Sequence, residues 1–370
     1  MTGMDSSVPS TSFLIVKPSS LGDIVHAFPL VAFIRQQIPD ARIDWVANTE
    51  FVDLVKRHPD IRKVFSFPRS EWGSRAFFRS MGTMVSDLRA EEYDVILDIQ
   101  GLLRSALLSR LARGRKRIGF SDAREGASLL YSVPVAPGDG TVSTLHAVLK
   151  NLQVMTSLGF DPKPIPSELV YSQEDERALD LLLERSGLPE KNGFLVMHPG
   201  AKRAIKQWPS LYYSELIERL HRKYPKTPIV LIAGKKEQSL LEEIADRTTA
   251  GPVLLAGKLP IDLLPLFFKR TRLYIGNDSG PLHLAVLSET PTVSIFGSSN
   301  PERTGPFGFG GRHVVLRDPI ECSPCGDFKA NCSHRSCLVG VTPDRVLMEA
   351  ERMLSVRHES VPVSLRNPPA

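Results

Sequence analysis

The sequence predicts an α/β protein built from two doubly wound parallel domains. Short apolar runs alternate with helical patterns almost throughout, as strands buried on both faces require. The runs form two series separated by a Pro-rich stretch, DPKPIPSELVY, at residues 161–171. In the second series the runs end in Gly, Ser, Asp or His and lead toward helices, placing polar and flexible residues at strand carboxyl ends, where such sheets bind ligands.

Taken in order, the first series is FLIVK, ARIDWVA, KVFSF, DVILDI, KRIGF and YSVPV, with helices after Asp23 and over residues 101–112. A charged helix follows the Pro-rich stretch and ends at the breakers Gly187, Pro189 and Gly193. The second series is GFLVMHPGA, PIVLIAG, PVLLAG, RLYIGND and TVSIFGSS. Domains are expected over residues 12–175 and 190–355, with 1–11 and the polar, Pro-rich 357–370 disordered. Ligands are expected at the strand ends and in the cleft between the domains.

With 370 residues, 42% of them hydrophobic and 24% charged, the chain can bury two substantial cores. A formal net charge of +5 is too weak for a general nucleic-acid binder but permits a local basic face. No apolar run approaches the roughly 18–20 residues of a membrane-spanning helix, and the first dozen residues lack the pattern of a signal peptide. A cytoplasmic protein is expected. The 4 cysteines are too few and too clustered for a secreted disulfide scaffold.

Five groups of residues carry chemistry. In VKPSSLGDIVHAFP a strand turns into a helix at a place suited to phosphate, yet Asp23 stands there. Ser20-x-x-Asp23 fits a capping box, and an ionised Asp23 also fits a general base. HPGAKRAIKQWP follows a strand with Gly200, Lys202, Arg203 and Lys206, which suits a diphosphate or a solvated basic loop. Trp208 in that segment reads as a packing residue. YIGNDSGPLHLAV ends a strand and opens a helix; Ser279 and Gly280 offer N–H groups to phosphate, Asp278 an acceptor, and His283 lies in the first turns, with simple N-cap chemistry as the alternative. Arg69, Arg75 and Arg79, interleaved with Trp72, Phe77 and Phe78, together with Arg124, suit an anionic, amphiphilic partner. Cys322, Cys325, Cys332 and Cys337 can supply thiolates to a structural zinc, with free thiols or local disulfides as alternatives. No His/Asp/Glu cluster suggests a catalytic metal.

Together, VKPSSLGDIVHAFP, DIQGLLRSALLSRL, HPGAKRAIKQWP and GNDSGPLHLAVLSETPTVSIFGSSNP resemble glycosyltransferase family 9, the heptosyltransferases of lipopolysaccharide core assembly, over residues 13–354. DIQGLLRS and GFSDAREGASLLY are similar, more narrowly, to the heptosyltransferase I branch, which adds the first heptose to Kdo on lipid A. The resemblance implies a GT-B fold of two Rossmann-like domains facing across a cleft, and inverting transfer from ADP-heptose that needs no metal cofactor. It implies Asp23 as general base, and Lys206, Lys202, Asp278, Ser279, Gly280 and His283 on the donor. It places Arg124, Gln100, Arg104 and, less directly, Arg69, Arg75 and Arg79 on a Kdo2-lipid A acceptor. Nucleic acid is not an expected partner; peripheral contact with the cytoplasmic face of the inner membrane is. The cysteines depart from the enterobacterial form of the branch. Rival readings are a family 9 transferase with another heptose acceptor, such as the heptosyltransferase II type, and a noncatalytic nucleotide-sugar-binding protein. A nicotinamide oxidoreductase is disfavoured because the first turn lacks G-x-G-x-x-G.

Overall fold

The computed structural model describes residues 11–138, 145–190, 193–308, 312–325, 332 and 334–355. The chain divides into two compact units, Met1–Val170 and Tyr171–Ala370. The termini expected to be disordered lie outside the described residues apart from Thr11. Among the described residues no helix is long and apolar enough to cross a membrane.

The first unit is one parallel sheet, in order β3-β2-β1-β4-β5-β6. Its strands are β1 (Ser12–Val16), β2 (Arg42–Asn48), β3 (Lys63–Phe67), β4 (Glu92–Asp98), β5 (Arg113–Phe120) and β6 (Val133–Val135). The six apolar runs of the first sequence series form these six strands. Helices α1 (Leu21–Val25), α2 (Phe28–Gln37), α3 (Val52–Lys56), α4 (Arg75–Arg89), α5 (Leu103–Leu111) and α6 (Ala147–Leu152) connect or cover them. The helix read after Asp23 is two pieces: α1 ends at Val25 with His26 as its cap, and α2 restarts with Pro29 in its first turn, where a missing N–H costs nothing. On one face Leu14, Val16, Val46 and Ile96 pack against Met84 and Leu88 of α4 and Leu108 of α5. Asp44, fully buried in β2, is held by the guanidinium of Arg62 at 3.0 and 2.6 Å and by the Tyr93 hydroxyl at 2.8 Å, so its charge is neutralised inside the sheet.

The second unit repeats the topology, with order β12-β11-β10-β7-β8-β9. Its strands are β7 (Phe194–His198), β8 (Ile229–Ala233), β9 (Val253–Ala256), β10 (Thr271–Asn277), β11 (Thr292–Ile295) and β12 (His313–Leu316). β12 went unread in the sequence because it is a four-residue, half-buried edge strand. The helices are α7 (Gln173–Arg185), α8 (Ser210–Lys223), α9 (Gln238–Ala245), α10 (Leu264–Lys269), α11 (Gly280–Leu287), α12 (Pro301–Thr304), α13 (Ser336–Val339) and α14 (Pro343–Ser355). The charged α7 belongs to this unit: Arg270, at the end of α10, pairs with its Glu176. Val346, Ala350 and Met353 of α14, spaced on one helical face, complete the core formed by α8 and the sheet.

Candidate active site

In the first unit the turns after β1 and β4 lie at neighbouring strand ends, since β1 pairs with β4. Chain connections leave in opposite directions there, which opens a crevice at the carboxyl edge. Asp23 occupies the first turn of α1. Its Oδ2 accepts from Ser20 N–H at 3.0 Å and from Ser20 Oγ at 2.7 Å, so the capping box is present. Both donors suit an ionised carboxylate. Because α1 has only five residues, these local bonds rather than a long helix dipole hold the acid. The Ser19 N–H donates to Gln100 Oε1 at 3.3 Å, which ties the Asp23 turn to the turn after β4.

That second turn is organised by Asp98, a residue the sequence reading did not single out. Asp98 is buried; its Oδ1 accepts from the N–H groups of Gln100 and Gly101 at 3.0 and 3.2 Å, and its Oδ2 from the Tyr131 hydroxyl at 2.9 Å. Burial pushes the Asp98 carboxyl up, against these hydrogen bonds. Gly119 is required beside it, because a Cβ there would sit 2.4 Å from the Tyr131 ring. The Arg124 N–H donates to Gly101 O at 3.0 Å, bringing Arg124 to the same strand ends. Arg104, in the first turn of α5, is pressed below the ordinary arginine value by partial burial and then by the charges of Arg69 and Arg124, with Glu125 opposing. The charges of Arg69 and Arg124 thus reach Arg104. Arg75 and Arg79 stand on the exposed face of α4.

In the second unit the central pair is β7 and β10, and the loops after β7, β10 and β11 meet. Asn277 joins the first two: its Nδ2 donates to Pro199 O at 2.8 Å, and its Oδ1 accepts from Trp208 N–H at 3.0 Å. Gly276 allows the approach, since a Cβ would meet the Tyr274 hydroxyl at 2.7 Å and His198 O at 3.0 Å. Lys206 then forms an ion pair with Asp278, which also accepts from Ser299 Oγ. Ser279 Oγ and His198 Nδ1 lie 3.1 Å apart, and His283 Nε2 is 3.9 Å from Asp278 Oδ1. Lys206, Asp278, Ser279, Gly280 and His283 are thus brought together. Lys202 is exposed on the β7 loop, and no contact joins it to Asp278. Trp208 is buried and donates from Nε1 to Val341 O at 2.7 Å, the packing role expected of it.

Ser299, Asn277 and His198 complete this site and were not among the predicted residues. Gly-Ser-Ser directly after a buried strand was the available signal for Ser299. The cysteine segment supports that loop: Cys325 Sγ donates to Ser298 O at 3.8 Å and Ser323 Oγ to Gly297 O at 2.8 Å. All four cysteines are free thiols. Among the described residues no group of three or more His, Cys, Asp or Glu is arranged to hold a metal.

Residues 81–336 match the profile of Glycosyltransferase family 9 (heptosyltransferase). The chain is 28% identical to lipopolysaccharide heptosyltransferase 1 of Pseudomonas aeruginosa, over 92% of this chain and 97% of that one. It is 25% identical to lipooligosaccharide heptosyltransferase 2 of Haemophilus ducreyi, over 92% and 99%. The fold superimposes on Escherichia coli heptosyltransferase WaaC with ADP at a TM-score of 0.73 and 24% identity, covering 93% of this chain and all of that one. With two six-stranded Rossmann-like units, this chain belongs to glycosyltransferase family 9, the GT-B heptosyltransferases of lipopolysaccharide core biosynthesis.

Proposed function

We infer that this glycosyltransferase moves L-glycero-D-manno-heptose from ADP-heptose to Kdo of Kdo2-lipid A, with inversion, at the cytoplasmic face of the inner membrane. The observation that carries the reading is the Lys206–Asp278–Ser299 cluster at the N-terminus of α11, a cation held ready beside N–H groups that suit a diphosphate. Two likenesses support it: to a heptosyltransferase 1 along nearly the whole chain, and to a fold solved with ADP. Arg69, Arg104 and Arg124 in the other unit suit the phosphorylated acceptor.

In this mechanism Asp23 takes the proton of the attacking Kdo hydroxyl as the new bond to the anomeric carbon forms. The bond from that carbon to the ADP oxygen breaks on the opposite face, and Lys206, with the N–H groups of Ser279 and Gly280, stabilises the charge gathering on the diphosphate. Asp278 keeps Lys206 in place before the donor arrives. The cationic side chain and backbone donors supply the charge stabilisation, so the reading needs no metal, and turnover should persist in a chelator.

A heptosyltransferase II-type acceptor is the second reading, favoured by the likeness to the Haemophilus ducreyi enzyme. The test is ADP release from ADP-L-glycero-β-D-manno-heptose with Kdo2-lipid A or with the heptosylated acceptor. Release dependent on Kdo2-lipid A supports the first reading. Release with the heptosylated acceptor alone replaces it with the second, and donor turnover with neither removes both.

A further inference from the structure

His198 is buried at the end of β7, paired in register with Gly276 of β10. Its Nδ1 lies 3.1 Å from Ser279 Oγ, and the Ser279 hydroxyl also reaches Asn277 O at 3.3 Å. A carbonyl oxygen can only accept, so the hydroxyl proton goes to Asn277 O. His198 Nδ1 then donates to Ser279 Oγ, and the hydrogen-bond network assigns the imidazole to that tautomer. Burial alone lowers the ring to about 4, so near pH 7 it is neutral and carries a single N–H. The Tyr213 hydroxyl donates to His198 O at 3.2 Å, and burial pushes the phenols of Tyr213 and Tyr274 up, so neither adds a charge beside the ring.

Ser279 is the N-cap residue of α11, where a serine ordinarily turns its oxygen onto the N–H of the second or third helical residue. It makes no such bond. The second residue is Pro281, which has no N–H, and the third, Leu282, already donates to Ser279 O at 3.1 Å. Capping therefore does not account for the placement of this side chain. A hydroxyl whose oxygen accepts from a neighbouring N–H gives its own proton in a stronger hydrogen bond, because the two bonds polarise one another. A phosphate oxygen at the start of α11 is charged, and so is a better acceptor for that proton than the Asn277 carbonyl.

We propose that His198 is a positioning residue for the donor: its Nδ1–H holds Ser279 Oγ so that the serine hydroxyl swings its proton from Asn277 O to an oxygen of a nucleoside diphosphate at the N-terminus of α11. The proton stays on serine throughout, and no covalent bond forms or breaks. The role rests on the proposed donor reading of this loop, and His198 acts on the diphosphate only through Ser279.

The test is calorimetric binding of ADP to the full chain, without acceptor, alongside thermal midpoints. Asparagine places an amide N–H where Nδ1 stands but leaves a void, whereas leucine fills much of the ring's volume and offers no donor. His198→Leu should weaken ADP binding about tenfold. His198→Asn should stay within about threefold of wild type, although it has the lower thermal midpoint of the two. A histidine that serves the fold alone gives the reverse order, with affinity following the midpoint. Ser279→Ala should weaken ADP binding as much as His198→Leu, and the double variant no further than either, because both remove one linked pair of bonds. If His198→Leu does not fold, His198→Gln takes its place: its amide reaches the Nε2 position rather than Nδ1, and the same tenfold loss is expected. Unchanged affinity in that variant, losses that track the midpoint, or additive losses in the double variant overturn the role of His198 and leave the donor reading standing. Wild-type protein that binds no ADP overturns the donor reading, and the role of His198 with it.

Discussion

Replacing Asp23 by Asn separates its two roles, because an amide oxygen can still accept from Ser20 and start α1 but cannot take a proton. Turnover should fall at least about a hundredfold with donor affinity little changed; full activity in Asp23→Asn would leave only the cap. Lys206 needs a different design. Its removal strips the cation from Asp278, which is 6% exposed, so Lys206→Ala should lower the thermal midpoint as well as donor affinity and turnover, the latter two by about 10- to 100-fold. Adding Asp278→Asn removes the stranded charge and should restore stability without restoring activity. Recovery of both would mean that Lys206 serves the fold alone.

At the scale of elements, the loop after β11 depends on the cysteine segment behind it. A Cβ on Gly297 would stand 2.8 Å from the Leu338 side chain and 3.0 Å from Cys337 Sγ, both in the packed end of the second core. Gly297→Ala should therefore cost about 1–3 kcal/mol and displace Ser299 from Asp278. The readout is a lower unfolding midpoint with weaker ADP binding in calorimetry; unchanged values for both would show that the loop moves freely. In the first unit, Tyr131→Phe removes a donor from buried Asp98 and should destabilise by about 1–3 kcal/mol, measured by urea unfolding. It keeps the ring that covers Gly119, so a larger loss would point to more than the hydrogen bond.

Across the described residues, three histidines contribute to the acid limit. Burial lowers His58, His198 and His313 to about 4, with Asp60 raising His58 in part, Arg35 lowering it further, and Arg312 adding to the fall at His313. In the unfolded chain each titrates near 6.5, so between about 6.5 and 4 the unfolded state binds more protons and stability falls as pH falls. Above 6.5 this contribution is fully present; below it, each histidine costs up to about 3 kcal/mol. Thermal midpoints should be level near neutrality and drop through this window. Asn at position 58 can keep the acceptor that His58 Nδ1 offers to the Asp60 N–H, so His58→Asn should make the drop shallower. An unaltered slope would exclude His58 as a source. The histidines lie in different units, so calorimetry should be read for two transitions rather than assumed two-state.

The fold and the outline of the site were legible because both rest on local patterns. Continuous apolar runs specify strands covered on two faces, and the breakers after them mark the carboxyl ends where Asp23, Lys206 and Asp278 stand. Short elements escaped: β12 has too few residues to show a period, and Pro29 splits a helix that sequence read as one. Which polar residues meet is a matter of long-range register. Ser299 is 21 positions from Asp278, Tyr131 is 33 from Asp98, and Gln100 reaches a backbone N–H 81 residues earlier. No spacing rule joins such positions; only the parallel sheet, which aligns distant strand ends, makes them neighbours. Sequence determined the strands and the turns at their ends; tertiary structure decided the partners, because burial and contact belong to the assembled sheet rather than to any segment.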